Sequence, residues 1–187
     1  LRVFPIKEVS DIGRKHNIPL IMDNTAAPII CKPLDHGAAV VVHSLTEFIG
    51  GHGTVIGGCL VDAGNFDWTA DPKRQPLFNE PDMSYGGAKW GEVVPQLTGA
   101  NVSFAVRARV CLLRDLGAPL APDNAWGIIQ GLETVPLRMQ QHCSNAAKVG
   151  SPPALLDPCQ LPPPIRNSPP VFTFACLVLL VTGFFAS

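Results

Sequence analysis

The sequence predicts an α/β domain in which short strands joined by helices form a mostly parallel sheet. Three short apolar runs, at residues 18–22, 38–42 and 55–61, alternate with segments of helical spacing or turn residues. The chain has 187 residues, of which 47% are hydrophobic and 16% charged. This composition supplies enough apolar side chain for one core and too little charge for a disordered chain.

The first elements are a helix and two strands. Residues 5–16 begin with proline and carry an apolar residue at every third position from Ile6 to Ile12, which predicts a short helix. Residues 18–22 and 38–42 are continuous apolar runs, typical of strands that are covered on both faces.

The middle of the chain is less regular. Residues 55–61 predict a third strand, which Gly57 and Gly58 loosen. Residues 65–92 are polar and rich in proline, glycine and aromatic residues, and we expect a long surface excursion there.

Two helical segments follow. Residues 103–116 predict a helix that ends at Gly117. Its expected apolar stripe consists of Ala105, Ala108, Leu112 and Leu116. Residues 122–149 are mainly helical, and Gly131 and Pro136 are expected to bend or break this stretch.

The composition changes after residue 149, which divides the chain into a body (1–149) and a tail (150–187). Eight prolines between residues 152 and 170 exclude a persistent helix or central strand. Residues 171–186 then form an uncharged apolar run of 16 residues, shorter than the roughly 20 that a transmembrane helix needs. A membrane anchor is therefore not expected; a buried segment and an unnatural C-terminus are the alternatives.

Charge and cysteine content exclude several classes of function. The formal net charge is −1, so nucleic acid is not an expected partner. The six cysteines form no C-x-x-C pair and no Cys/His cluster with zinc spacing, so no metal site is expected. Scattered thiols and the lack of a visible signal peptide favour the cytoplasm.

Three features carry possible chemistry. Asp23 directly follows the first predicted strand, on the side where α/β sheets bind ligands, although Asp-Asn-Thr also favours turns. Ser44 and Thr46 follow the second strand; on an extended segment both hydroxyls would point to one side and suit a phosphate, and ordinary turn chemistry is the alternative. His52 lies in a glycine-rich stretch and is more typical of a turn than of a catalyst.

Together these features resemble the Cys/Met-metabolism family of pyridoxal-phosphate (PLP) enzymes. The resemblance rests on D-N-T at 23–25 and V-V-H-S-L-T-E-F-I-G-G-H-G-T-V-I-G-G at 41–58. It is similar to the O-acetylhomoserine sulfhydrylase branch in N-F-D-W (65–68), E-P-D-M-S-Y (80–85), R-A-R-V-C-L-L-R-D-L-G (107–117), L-A-P-D-N-A-W (120–126) and Q-G-L-E-T-V-P-L-R-M-Q-Q-H (130–142). The resemblance covers residues 1–149.

The resemblance implies a fold, a reaction and site residues. The fold would be part of the large domain of a fold-type-I PLP-dependent transferase. The reaction would be a γ-replacement in methionine biosynthesis that joins the amino-acid substrate O-acetylhomoserine to sulfide, in a homotetramer. Asp23 would pair with the protonated pyridine nitrogen of PLP, and Ser44 and Thr46 would bind its phosphate.

Position 47 departs from the family pattern. The signature S-x-T-K ends in the lysine that holds PLP as a Schiff base, whereas this chain has Glu47. A carboxylate cannot form that bond, and it would repel a nearby phosphate. The segments that supply the family's aromatic stacking residue and carboxylate-binding arginine also fall outside the resemblance. We therefore expect impaired catalysis, or a non-catalytic protein that binds PLP weakly or pairs with an intact paralogue.

Overall fold

A mixed four-stranded sheet organises the fold. The structure is a computed structural model that describes residues 3–150 and 179–181. The strands are β1 (Ile21–Asp23), β2 (Val40–Ser44), β3 (Gly58–Asp62) and β4 (Leu179–Val181), in that order across the sheet. The helices are α1 (Ile6–Lys15), α2 (Pro76–Asn79), α3 (Trp90–Thr98), α4 (Ser103–Arg107), α5 (Pro122–Leu132) and α6 (Val135–Gly150). Short 3₁₀ turns span Pro33–His36 and Met83–Tyr85, and a π-helix spans Ala108–Arg114.

The directions of the strands correct the expected sheet. The α/β class is confirmed, but only β1 and β2 pair in parallel among the described strands, while β3 is antiparallel to both of its neighbours. Residues 45–57, which we call the connecting turn, join β2 to β3 without a crossover helix. A parallel pairing requires such a crossover, so the chain returns antiparallel.

The two parallel strands differ in how deeply they are buried. Val40 and Val41 of β2 are fully buried, as predicted for a strand covered on both faces. The same prediction is wrong for the first run, because Ile18 and Ile21 remain 41% and 44% exposed. The difference arises because β1 lies at the edge of the described sheet, where one side has no neighbouring strand.

Residues 65–92 are not a surface excursion, because their aromatic residues form much of the main core. Trp68 is 3% exposed, and its ring centroid lies 4.9 Å from that of Phe66, 4.6 Å from that of Phe78 and 5.3 Å from that of Phe104. Aromatic side chains bury large apolar areas. Their burial outweighs the local preference of proline and glycine for exposed loops.

The predicted helix over residues 103–116 has an irregular centre. It begins as α4, continues through the π-helix and ends, as predicted, at Gly117, which adopts a left-handed φ of 69°. The i→i+5 bonding of a π-helix shifts the side-chain period away from that of an α-helix. The expected apolar stripe is consequently wrong at Leu112 and Leu116, which are both exposed.

The paired helices α5 and α6 hold the connecting turn. A break is confirmed, but it falls at Glu133–Thr134, between the predicted positions Gly131 and Pro136. Gly131 packs against the backbone of Gly50 so closely that an added Cβ would overlap the Gly50 carbonyl. Arg138 of α6 donates hydrogen bonds to the carbonyl oxygens of Phe48, Ile49 (3.0 Å) and Gly131 (2.8 Å). A buried glycine contact and one guanidinium therefore fix the turn.

Most of the tail lies outside the described residues, including the proline-rich stretch and most of the apolar run. Three residues of that run form β4, which pairs with β3 in the register Gly58↔Val181 to Leu60↔Leu179. Within the described parts of the chain, no helix has the length and hydropathy to cross a membrane.

The aromatic core predicts a large stability loss on truncation. We expect Trp68→Ala to lower the free energy of unfolding by about 3–5 kcal/mol, because it removes a buried indole with three aromatic neighbours. Urea unfolding followed by circular dichroism measures this change. The control is Leu97→Ala on α3, whose side chain is 80% exposed and whose loss is expected to cost under about 0.5 kcal/mol. Equal effects would contradict the assignment of residues 65–92 to the core.

The bonds of Arg138 predict a second effect. Arg138→Met leaves the carbonyls of Phe48, Ile49 and Gly131 without their charged donor, so we expect a loss of about 2–4 kcal/mol in the free energy of unfolding. Arg138→Lys keeps the charge but not the planar fork, so it is expected to fall between the wild type and Arg138→Met. Arg109→Met, at an exposed arginine, serves as the control; a similar loss there would contradict the role of Arg138.

Candidate functional site

The candidate site lies at the end of the sheet where the carboxyl ends of β1 and β2 meet. The parallel register pairs Asp23 with Val42, so Asp23 and Ser44 terminate adjacent strands at the same edge. The backbone N–H of Asn24 donates to the carbonyl of Val42 at 2.9 Å and extends the ladder by one bond. The structure therefore brings together the carboxylate and the first hydroxyl that the sequence singled out.

Asp23 is exposed and is held in its ionised form. Its Oδ1 accepts a hydrogen bond from the backbone N–H of Thr25 at 2.8 Å. Hydrogen bonds from the Thr25 side chain and backbone lower the pKa of the Asp23 carboxyl, and the nearby His43 lowers it further. An exposed anion at the end of a strand suits a cationic nitrogen.

Asn24 and Thr25 build the loop that follows Asp23. The buried Asn24 donates from Nδ2 to the carbonyls of Ala27 (3.2 Å) and Cys31 (3.0 Å), which closes the loop onto itself. Thr25 Oγ1 accepts a hydrogen bond from the backbone N–H of Ser44 at 2.8 Å. This threonine therefore contacts the ends of both parallel strands.

His43 is half-buried next to Asp23. Burial lowers its pKa, an effect that the Asp23 carboxylate partly offsets. Its Nδ1 is buried and has no hydrogen-bond partner within the described residues. The imidazole is therefore uncharged near neutral pH.

The hydroxyls of Ser44 and Thr46 differ in the hydrogen bonds that they make. Ser44 Oγ accepts from the backbone N–H of Thr46 at 3.3 Å, and its own proton has no acceptor among the described residues. Thr46 Oγ1 accepts from the N–H of Gly57 at 3.3 Å and donates to the Gly57 carbonyl at 3.5 Å. β2 ends at Ser44, so Thr46 lies in the connecting turn and not on the extended segment that the sequence suggested.

Glu47 lies in the connecting turn and borders an open cleft. Its exposed side chain lines an open cleft of about 420 Å³ with Phe48, Gly51, Arg138, Gln141, His142 and Asn145. Asp23, Ser44 and Thr46 do not line this cleft. Its carboxylate accepts no hydrogen bond in the described part of the chain.

His52 and the four cysteines among the described residues add no further site. His52 Nδ1 contacts the carbonyl of Gly50 at 2.7 Å, the local contact expected of a turn residue. Over residues 3–150 and 179–181, no group of three or more His, Cys, Asp or Glu side chains could hold a metal ion.

Sequence reasoning missed Thr25, His43 and Arg138. Thr25 was visible only as part of a turn-forming string, and its contact with Ser44 depends on the strand register. His43 was visible in the H-S-L-T string, but its burial beside Asp23 depends on tertiary packing. The Arg138 bonds to Phe48 and Ile49 span about ninety residues of sequence, so no local pattern could reveal them.

Comparison with known proteins identifies a family and several relatives. Residues 1–151 match the family of Cys/Met metabolism PLP-dependent enzymes. The O-acetyl-L-homoserine sulfhydrylase of Leptospira meyeri is 48% identical over 153 residues, covering 80% of this chain and 34% of that protein. The homocysteine synthase of Schizosaccharomyces pombe is 42% identical over 142 residues, covering 75% and 32%. The chain spans about a third of the length of these relatives.

Solved structures show the same relationship. A Campylobacter jejuni protein assigned as O-acetylhomoserine (thiol)-lyase matches with a TM-score of 0.68 and 38% identity, over 81% of this chain and 37% of that one. That structure contains N′-pyridoxyl-lysine-5′-monophosphate. The O-acetylhomoserine sulfhydrylase of Wolinella succinogenes matches with a TM-score of 0.60 and 31% identity, over 80% and 37%. This chain belongs to the Cys/Met metabolism family of PLP-dependent enzymes.

Proposed function

We propose that this chain carries the PLP-binding region of an O-acetylhomoserine sulfhydrylase, altered at the residue that would tether the cofactor. The reaction of such an enzyme replaces the acetate of O-acetylhomoserine by sulfide and gives homocysteine. The observation that carries the proposal is that an ionised Asp23 and Ser44 end adjacent parallel strands at the same end of the sheet. The named relatives support the choice of reaction.

The described residues fit the two ends of PLP. The Asp23 carboxylate is exposed and anionic, which suits the protonated ring nitrogen. Ser44 has a hydroxyl proton available for a phosphate oxygen. Thr46 can add a second donor by giving up its long contact with the Gly57 carbonyl.

The cofactor supplies an electron sink when it is bound, and the residues of this chain preserve that property. A carboxylate at the ring nitrogen stabilises the protonated ring. The buried, uncharged His43 beside Asp23 places no competing positive charge there at neutral pH. Asp23 therefore orients the ring and keeps its nitrogen protonated.

Glu47 removes the covalent anchor and a proton carrier. A carboxylate forms no covalent bond with the aldehyde that is stable in water, and it is shorter than a lysine side chain. Loss of a positioned proton-transfer group typically lowers a rate by about 10²–10⁴. Binding through Asp23 and Ser44 would then be reversible, and catalysis would be severely impaired.

Glu47 also favours a second candidate function, that of a non-catalytic member of the family. Such a chain would bind PLP weakly or pair with an intact paralogue, in an assembly built like the tetramers implied by the family. The proposed location is the cytoplasm, where amino-acid substrates and PLP are available. Co-purification with an intact paralogue would support this candidate; a chain that elutes alone when the paralogue is present would contradict it.

The role of Asp23 predicts a loss of cofactor affinity. We expect Asp23→Asn to weaken binding of 4′-deoxypyridoxine 5′-phosphate by about tenfold or more, because it removes a charge-assisted hydrogen bond worth about 1.5–3 kcal/mol. This probe lacks the aldehyde and cannot label lysines. Isothermal titration calorimetry measures the dissociation constant.

A second aspartate provides a matched control. Asp67 accepts a hydrogen bond from the backbone N–H of Thr69 at 2.8 Å, as Asp23 does from Thr25, but it lies away from the strand ends. Asp67→Asn should leave binding unchanged. Equal affinity in the wild type and Asp23→Asn would show that the proposed site is wrong.

The residue at position 47 predicts the outcome of a labelling experiment. Incubation with PLP and then borohydride should leave no pyridoxyl group at position 47 in the wild type, because a carboxylate cannot be labelled. Glu47→Lys should acquire the group there, as detected by mass spectrometry of tryptic peptides, while Glu47→Gln should remain unlabelled. Failure of Glu47→Lys to react under conditions where surface lysines do would contradict placement of position 47 near the cofactor.

A further inference from the structure

Thr25 connects the two strand ends that form the candidate site. Its backbone N–H donates to Asp23 Oδ1 at 2.8 Å, and its Oγ1 accepts from the backbone N–H of Ser44 at 2.8 Å. Asp23 ends β1 and Ser44 ends β2. One half-buried side chain therefore contacts both elements.

The hydrogen bond from Ser44 to Thr25 extends the pairing of β1 and β2 beyond their last backbone hydrogen bond. The last backbone bond between the strand ends runs from the N–H of Asn24 to the carbonyl of Val42. Beyond it the chain leaves the sheet, and the Thr25 hydroxyl becomes the acceptor for the N–H of Ser44. The separation of the two strand ends therefore depends on a hydroxyl group.

The hydroxyl proton of Thr25 is not used in the contact with Ser44. Because Thr25 Oγ1 uses a lone pair to accept from Ser44, its own proton remains available to a neighbouring acceptor. The Thr25 side chain is the largest cause of the lowered pKa of Asp23, ahead of the Thr25 backbone. His43 is the other titratable group that acts on Asp23, and burial keeps it neutral near pH 7.

We infer that Thr25 is a positioning residue that holds the Asp23 carboxylate at a fixed place relative to Ser44. The pair can then engage the ring nitrogen and the phosphate of one phosphorylated pyridine ligand. This inference rests on the proposed function, because it assigns Asp23 and Ser44 to opposite ends of the same ligand. Thr25 acts through these two residues, and no contact of its own with the ligand is needed.

The test uses the full chain, 4′-deoxypyridoxine 5′-phosphate and three variants. Thr25→Val removes the hydroxyl and keeps the branched shape, whereas Thr25→Ser keeps the hydroxyl. Thr69→Val is the matched control, since Thr69 donates from its N–H and its hydroxyl to Asp67 at 2.8 and 2.6 Å in an equivalent turn. Dissociation constants are measured by calorimetry from pH 3 to pH 8, a range that includes the ordinary pKa of an aspartate.

We expect Thr25→Val to weaken binding about tenfold at pH 7, and Thr25→Ser and Thr69→Val to stay within about twofold of the wild type. The pH dependence is the readout that a merely structural role would not change. In the wild type, hydrogen bonds keep Asp23 ionised to lower pH. Without the hydroxyl donor its pKa rises, so affinity should be lost at a higher pH in Thr25→Val than in the wild type.

The outcomes separate this inference from the proposed function. If Asp23→Asn weakens binding but Thr25→Val matches the wild type, the positioning role is wrong and the proposed site stands. An affinity loss in Thr25→Val without any shift along the pH axis would also overturn the positioning role. If Asp23→Asn has no effect, the proposed function itself fails. Should Thr25→Val not fold, Thr25→Ala gives the same comparison with a smaller side chain.

Discussion

The parallel pairing of β1 with β2 determines where the candidate site lies. Its register places Asp23 opposite Val42, so that the two strands end together at one edge of the sheet. The side-chain period of a strand is two residues, and a shift of one residue would turn Asp23 to the opposite face. The hydroxyl of Thr25 reaches the N–H of Ser44 only in the observed register.

Two separate cores hold this pairing in place. Ala39 and Val40 pack with the aromatic residues of the 65–104 region, whereas Leu45 and Ile49 pack with the helices α5 and α6. The segment from β2 to the connecting turn therefore passes from one core to the other. Ser44 lies where the chain passes between the two cores. Its backbone is therefore held from both sides, although its hydroxyl proton remains available.

The parts of the fold with strong local signals could be predicted from the sequence. The apolar run of β2 and the break near Gly131 were predicted, since each depends on neighbouring residues. The exposure of Ile21, the return of β3 and the burial of Trp68 were not, because they depend on which elements lie beside them. At the site the placement of Asp23 followed from its position after a strand; the roles of Thr46 and Thr25 required the turn geometry and the register.

The exposure of Glu47 has a consequence for how this position changes during evolution. Substitutions at exposed sites away from special backbone features usually alter stability by less than about 0.5 kcal/mol. Exchange of a lysine for a glutamate there would leave the packing of Gly131 on Gly50 and the bonds of Arg138 intact. Selection for a folded protein would therefore not preserve a lysine at this position. Under the proposed function, only selection for the cofactor chemistry would retain a lysine there, and once that selection is relaxed the residue can change while the surrounding scaffold persists.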